Sequence, residues 1–251
     1  MPIPMTATPS LTLPARLRRF SPLALVLALL LSPLGPVACA APGPSSDLGC
    51  GSGGIPCLQG KAVVSLLTSK GEVQVSLDGD AAPLTAGNFV DLVRRGVYNG
   101  TVFHRVVKEP APFVVQGGDP QSRDPKVPVD QLGGGSFIDP ASGQPRYLPL
   151  EIALNGEAKP RYGEVSAGPD QLTRVTLPHQ RGALAMARAE DPNSASAQFY
   201  IALQALPELD GRYAVFGRVS KGMDVVDRIN QGDKLLKATL LSGGTLVKDR
   251  P

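Results

Sequence analysis

From Lys61 onward, apolar residues recur at two different spacings. Val63, Val64, Leu66 and Leu67 form a near-continuous run, the pattern of a buried strand. Lys70-Gly71 punctuates, and Val73, Val75 and Leu77 then alternate with polar residues, so a hairpin is predicted. Pro83 opens a helix: Ala86, Phe89, Val90 and Val93 fall at i, i+3, i+4 and i+7 on one face, and Gly96 ends it. Further strand-like runs occupy 101–107, 113–116, 183–187, 198–203, 213–219 and 238–247, and a second short helix fits 222–230. Many short strands, two helices and no βαβ alternation predict an antiparallel barrel or sandwich. Residues 120–178 break the pattern. Rich in Pro, Gly and charge, with three glycines at 133–135, they read as an elaborated surface loop. The glycines lack the Lys and the strand-to-helix setting of a phosphate-binding loop.

The first 60 residues follow other rules. Arg16, Arg18 and Arg19 precede the apolar run Phe20 to Leu31, and small residues end the segment at Ala38-Cys39-Ala40. Residues 1–40 therefore read as a secretory signal. The run is too short and too Pro-broken for a comfortable membrane span, with an uncleaved anchor as the alternative. Ala38-Cys39 resembles the end of a lipobox, but Pro36 stands where an aliphatic residue is usual; cleavage after Ala40 explains the same residues and discards Cys39. Residues 41–60 read as a flexible linker and 61–251 as the domain. Cys50 and Cys57 flank a loop that can close into a disulfide in an oxidising compartment; a redox pair is disfavoured because the spacing is not C-x-x-C.

Composition narrows the function. With two histidines, His104 and His179, and three cysteines, a multi-His metal site is excluded, and no cofactor is expected. The net charge of +3 comes from Arg16, Arg18 and Arg19; no acidic residue lies in 1–40, so the remainder is neutral and lacks the basic footprint of a nucleic-acid binder. Ser196 has neither a nearby His nor a G-x-S-x-G setting, which removes a serine hydrolase.

Five blocks follow in order: A-P-L-T-A-G-N-F-V-D-L-V-R-R-G-V-Y-N-G-T-V-F-H-R-V-V (82–107), F-V-V-Q-G-G-D-P (113–120), H-Q-R-G-A-L-A-M-A-R (179–188), S-A-Q-F-Y-I (196–201) and L-D-G-R-Y-A-V-F-G-R-V (209–219). Together they resemble the cyclophilin family of peptidyl-prolyl cis/trans isomerases, from about Lys61 to the C-terminus. The resemblance implies a mainly β fold, a closed eight-stranded antiparallel barrel capped by two helices, here with a long inserted loop. It implies an outer groove that holds an X-Pro dipeptide. Arg105 matches the catalytic arginine; Phe113, Val114 and Gln116 match the proline pocket and the glutamine beside the arginine. Ala187, Arg188, Gln198, Tyr200, Leu209 and Tyr213 match further substrate-binding positions, with Val114 in place of Met, Tyr200 of Phe, Tyr213 of His and Arg188 of Asn. The implied partners are proline-containing polypeptides. No nucleic acid is expected, membrane contact only through the N-terminal segment (with a lipid at Cys39 as an alternative), and a monomer.

Beyond the exchanges at Tyr213 and Arg188, two features test the resemblance. Three extra residues separate Arg105 from Phe113, in V-V-K-E-P-A-P-F, and can move Phe113 away. Glu208 stands where many eukaryotic members carry a Trp that also helps bind cyclosporin, so weak inhibition is expected. Phe199 and Phe216 read as core, His104 and His179 as structural, and Asp119 and Asp210 as turn formers. An exported isomerase is the leading reading. A non-catalytic proline-peptide-binding or scaffold module using the same groove is the alternative, favoured only by the insertion before Phe113.

Overall fold

A computed structural model describes residues 49–50 and 54–247. The predicted signal, Cys39 and most of the 41–60 linker lie outside the described residues. In chain order the elements are β1 (Cys57–Thr68), β2 (Gly71–Asp78), α1 (Pro83–Arg94), β3 (Thr101–Val102), β4 (Arg105–Val106), β5 (Val114–Gly117), β6 (Glu151–Ile152), β7 (Arg161–Tyr162), α2 (Pro169–Leu172), β8 (Ala183–Met186), β9 (Phe199–Ala202), β10 (Val215–Lys221), α3 (Met223–Arg228) and β11 (Lys234–Val247).

The principal antiparallel sheet has the order β3-β11-β1-β2-β10-β8-β9-β5-β4. Its two ends are pieces of one run, interrupted at Phe103-His104. Thr101 pairs with Leu235 of β11 and Arg105 with Gln116 of β5. The two ends of the curled sheet thus belong to one segment, and eight strand positions, the number expected, result when β3 and β4 count as one.

Side-chain parity explains why the strands read as continuous apolar runs. On β9, Phe199 and Ile201 belong to the inner core while Tyr200 and Ala202 belong to a separate outer cluster. On β5, Val115 points in and Val114 out; on β10, Phe216 points in and Val215 out. Both faces are covered, so both are apolar. Inside, Phe89, Tyr98, Phe199 and Phe216 pack with ring centroids 4.9 to 5.5 Å apart. Phe199 and Phe216 are core, as expected.

Helix α1 supplies Phe89 from its buried face. Its N-terminus has no side-chain cap of its own. Glu151 provides one from 67 residues away: its carboxylate oxygens accept from Leu84 N at 3.0 Å and Thr85 N at 2.8 Å. The helix ends at Arg94, with Gly96 at φ +69 turning the chain.

Two expectations need correction. The 120–178 segment is not a surface loop throughout. Leu148, Leu150, Ile152 and Leu154 are buried, and the last three form a small core with Ala214. Their alternation is a strand signal that Pro and Gly content obscured. Folding also begins before residue 61. β1 starts at Cys57, Leu58 is fully buried, and α1 lies so close that a Cβ at Gly87 would collide with Pro56 O. The end of the supposed linker is therefore part of the domain, and a disulfide joins Cys57 to Cys50.

Candidate active site

The outward-facing residues of β5, β8, β9 and β10 floor a groove on the outer face of the sheet. Arg105, Phe113, Val114, Gln116, Ala187, Arg188, Tyr200, Leu209 and Tyr213 line one cavity of about 260 Å3. Every predicted site residue except Gln198 is among them. Gln198 lies in an adjoining cleft of about 210 Å3, which shares Gln116, Ala187 and Arg188 and includes Gly133–Gly135. A larger cleft, about 520 Å3, lies elsewhere over Lys61, Leu77 and Arg218 and holds no predicted site residue.

The insertion before Phe113 does not displace it. Phe113 N donates to Val107 O at 2.9 Å and Val107 N to Val114 O at 3.0 Å, so the ends of the insertion are clamped and residues 108–112 bulge away. The Arg105 guanidinium carbon lies 5.6 Å from the centroid of the half-buried Phe113 ring.

Arg105 is exposed and held by a chain of side-chain amides. Its Nη1 donates to Gln116 Oε1 at 3.3 Å, and Gln116 Nε2 donates to Gln198 Oε1 at 3.2 Å. Gln198 Nε2 donates to the carbonyls of Gly133 and Gly135, both at 2.9 Å. That glycine turn is held by Asp119, which is fully buried and accepts from Gly133 N at 2.7 Å, Gly135 N at 3.1 Å and Gln121 N at 2.8 Å. Gly135 must be glycine, because a Cβ would collide with the Asp119 carboxylate. Asp119 is thus more than the turn former it resembles in sequence. The three consecutive glycines were the available signal of a close backbone approach.

The opposite wall is held differently. Tyr200, 5% exposed, places its hydroxyl 2.9 Å from His179 Nε2, and His179 Nδ1 lies 2.7 Å from Asp210 Oδ1. Burial holds the His179 pKa below its ordinary value against the pull of Asp210, and pushes the Tyr200 hydroxyl well up. Tyr213 meets Tyr200 edge-on at 5.9 Å, and the Arg188 guanidinium lies 4.7 Å over Tyr213. Arg188 donates to the carbonyls of Ala189, Glu190 and Arg212, so it acts as a pinned cover rather than a free cation. His104, beside Arg105 in sequence, is buried behind it, and burial lowers its pKa. Among the described residues, no three His, Cys, Asp or Glu side chains gather as metal ligands.

Comparison with known proteins bears on this geometry. Residues 63–242 match the model of the family described as cyclophilin type peptidyl-prolyl cis-trans isomerase/CLD. Over 199 residues, 75% of this chain, the sequence is 38% identical to a protein named as a thylakoid lumen peptidyl-prolyl cis-trans isomerase of Synechocystis, of whose length 49% is matched. Over 183 residues, 68% of this chain, it is 38% identical to a chloroplastic peptidyl-prolyl cis-trans isomerase of Arabidopsis thaliana, matching 38% of that protein. The chain thus spans about half or less of the length of these curated relatives. Among solved structures, it resembles a cyclophilin type isomerase of Cryptosporidium parvum crystallised in the presence of the dipeptide Ala-Pro, with TM-score 0.53 and 25% identity over 72% of this chain and 99% of the other.

Proposed function

The chain belongs to the cyclophilin type peptidyl-prolyl cis-trans isomerase family, and from that premise we propose that it accelerates rotation about X-Pro bonds in exported or folding polypeptides, with Arg105 at the reacting centre. The barrier to be lowered is amide resonance, about 18–20 kcal/mol, which makes uncatalysed exchange take roughly tens to hundreds of seconds. No bond is broken, so nucleophile, metal and cofactor have no part to play. The groove must favour the twisted amide over both planar forms.

Twisting localises the lone pair on the proline nitrogen. The Arg105 guanidinium donates to that lone pair and holds the neighbouring carbonyl, since it stays charged and carries several donors in a rigid fork. Gln116 fixes its orientation through the 3.3 Å hydrogen bond. Phe113, Val114 and Leu209 seat the ring and exclude water, while Ala187, Arg188, Gln198, Tyr200 and Tyr213 shape the approach of the flanking residues. The observation that carries the reading is the single cavity uniting Arg105, Phe113 and Gln116 despite the insertion. The binding-module alternative rested on that insertion and has no further support.

Export fits the signal-like segment and the Cys50–Cys57 disulfide, which suits an oxidising compartment. It also fits the lumenal and chloroplastic names of the relatives. The reading includes a monomer that meets a membrane only through its N-terminal segment. Glu208, exposed on the Pro207–Leu209 turn, gives no aromatic wall, so weak cyclosporin inhibition belongs to the same proposal.

The test is exchange of a short Ala-Pro peptide followed by NMR, with Arg105→Ala alongside. The variant is expected to keep its fold and lose on the order of 100- to 1,000-fold in kcat/KM, the scale of one removed transition-state donor. A folded wild type that accelerates no X-Pro sequence would overturn the proposal.

A further inference from the structure

Deepening the isomerase reading, and resting on it for its activity arm, we propose that His179 is a positioning residue of the groove: as a neutral imidazole it ties the Tyr200 floor to the turn bearing Leu209, and its protonation loosens that wall.

Tyr200 carries a hydroxyl at a position where the family resemblance leads one to expect Phe. A buried hydroxyl requires a partner. Among the described residues its one partner is His179 Nε2, at 2.9 Å. His179 is 2% exposed and uses all its polar groups. Its backbone N and its Nδ1 both lie 2.7 Å from Asp210 Oδ1, and its carbonyl accepts from Leu206 N at 2.8 Å.

An ionised aspartate only accepts, so the proton sits on Nδ1. Nε2 then presents a lone pair, and Tyr200 donates to it. Asp210 in turn closes the Pro207–Leu209 turn, with Asp210 N donating to Pro207 O at 3.1 Å. Tyr200 and the turn bearing Leu209, both lining the cavity, are thereby joined through one imidazole, and Tyr213 packs edge-on against Tyr200.

A second proton reverses the polarity of this chain. Both ring nitrogens then donate, and the Tyr200 hydroxyl must turn to accept, leaving its own proton without a partner. The charged groups that act on the ring are the carboxylates of Asp210 and Glu208, from the turn, and the Tyr200 hydroxyl of β9 meets Nε2; Tyr213 and Arg188 act on Tyr200. The two carboxylates favour the cation, but burial outweighs them and holds the transition below the ordinary value of 6.5. The neutral wall is therefore complete above pH 6.5 and is lost as pH falls through the lower folded value.

The experiment is a pH titration of the full chain by NMR, following the His179 ring, the Leu209 methyls and the Tyr213 ring, with Ala-Pro exchange measured in the same samples. Wild type, His179→Gln and Tyr200→Phe are compared. In the wild type, Leu209 and Tyr213 are expected to shift with the His179 midpoint, while kcat/KM falls about two- to tenfold through KM. His179→Gln removes that acid limb. Tyr200→Phe leaves His179 titrating and Leu209 following it through Asp210, but uncouples Tyr213 and the fall in kcat/KM from it, and keeps the question open to test if the glutamine variant does not fold. Leu209 and Tyr213 signals that ignore the His179 titration, or an acid limb that persists without His179, would overturn the proposal. Absence of turnover in the wild type instead sinks the isomerase reading, and the resonances alone then decide the role of His179.

Discussion

The two walls of the groove solve one problem in different chemistries. Each positions a side chain through a relay that ends on a carboxylate, Asp119 on the Arg105 side and Asp210 on the Tyr200 side. On the arginine wall every link is an amide. Gln116 accepts from Arg105, so it must donate to Gln198, which must donate to the glycine carbonyls. A carboxamide neither gains nor loses a proton near neutrality, so the direction of these links is fixed. On the tyrosine wall the middle link is an imidazole, which can switch from one donor to two. The difference teaches that two relays ending alike on a carboxylate need not be equally constant: a relay is as pH-independent as its most titratable member.

The contrast can be broken most forcefully at Asp119. Asp119→Ala strands three N–H groups, those of Gln121, Gly133 and Gly135. A loss of about 1–3 kcal/mol in a urea melt is expected, the cost of one buried unpartnered donor, since Gly135 is buried while Gln121 and Gly133 are exposed. What survives folded should have lost at least about tenfold in kcat/KM, because Gln198 no longer has a seat. Unimpaired activity would show that the glycine turn does not support Arg105.

Gln198→Leu cuts the same relay with less damage to the fold. Here about tenfold in kcat/KM is expected, with the pH profile unchanged in shape. An altered acid limb would mean that the two walls are coupled and the comparison fails.

Glu151 gives the smallest expected effect and marks the boundary between scaffold and groove. Glu151→Ala removes the cap of α1 and should cost about 1–2 kcal/mol while leaving kcat/KM as it was. Burial, the largest influence, raises the Glu151 pKa above its ordinary 4.5 in spite of the amide donors. Such a carboxyl stabilises the fold most below 4.5, and the contribution fades as pH rises through the folded value. Chemical melts at a series of pH values should therefore show the cost of the substitution widest in acid. A cost that grows with pH would contradict the assignment.

Much of this was legible in one dimension. Pro83 and the i, i+3, i+4, i+7 apolar positions marked α1, and the strand runs fell where the strands lie, because both periods are local consequences of backbone geometry. The cavity residues were legible through the family resemblance, down to Gln116 beside Arg105. Less visible were the short β6 and β7, hidden in a Pro- and Gly-rich stretch, and the start of β1 at Cys57, hidden in a segment with a linker's composition.

The amino-acid sequence by itself determined the strand parity, the helix and the residue types available to the groove, since each depends on neighbours a few positions apart. Only the tertiary structure decided how the polar residues are joined. Gln116 meets Gln198 across 82 residues, Gln198 meets Gly133 across 65, and His179 meets Asp210 across 31. Asp119, His179 and Asp210 looked like a turn former, a structural histidine and another turn former for that reason. A hydrogen bond forms only where two groups lie within about 3 Å, and for groups so far apart in the chain that distance is set by long-range strand pairing and loop packing.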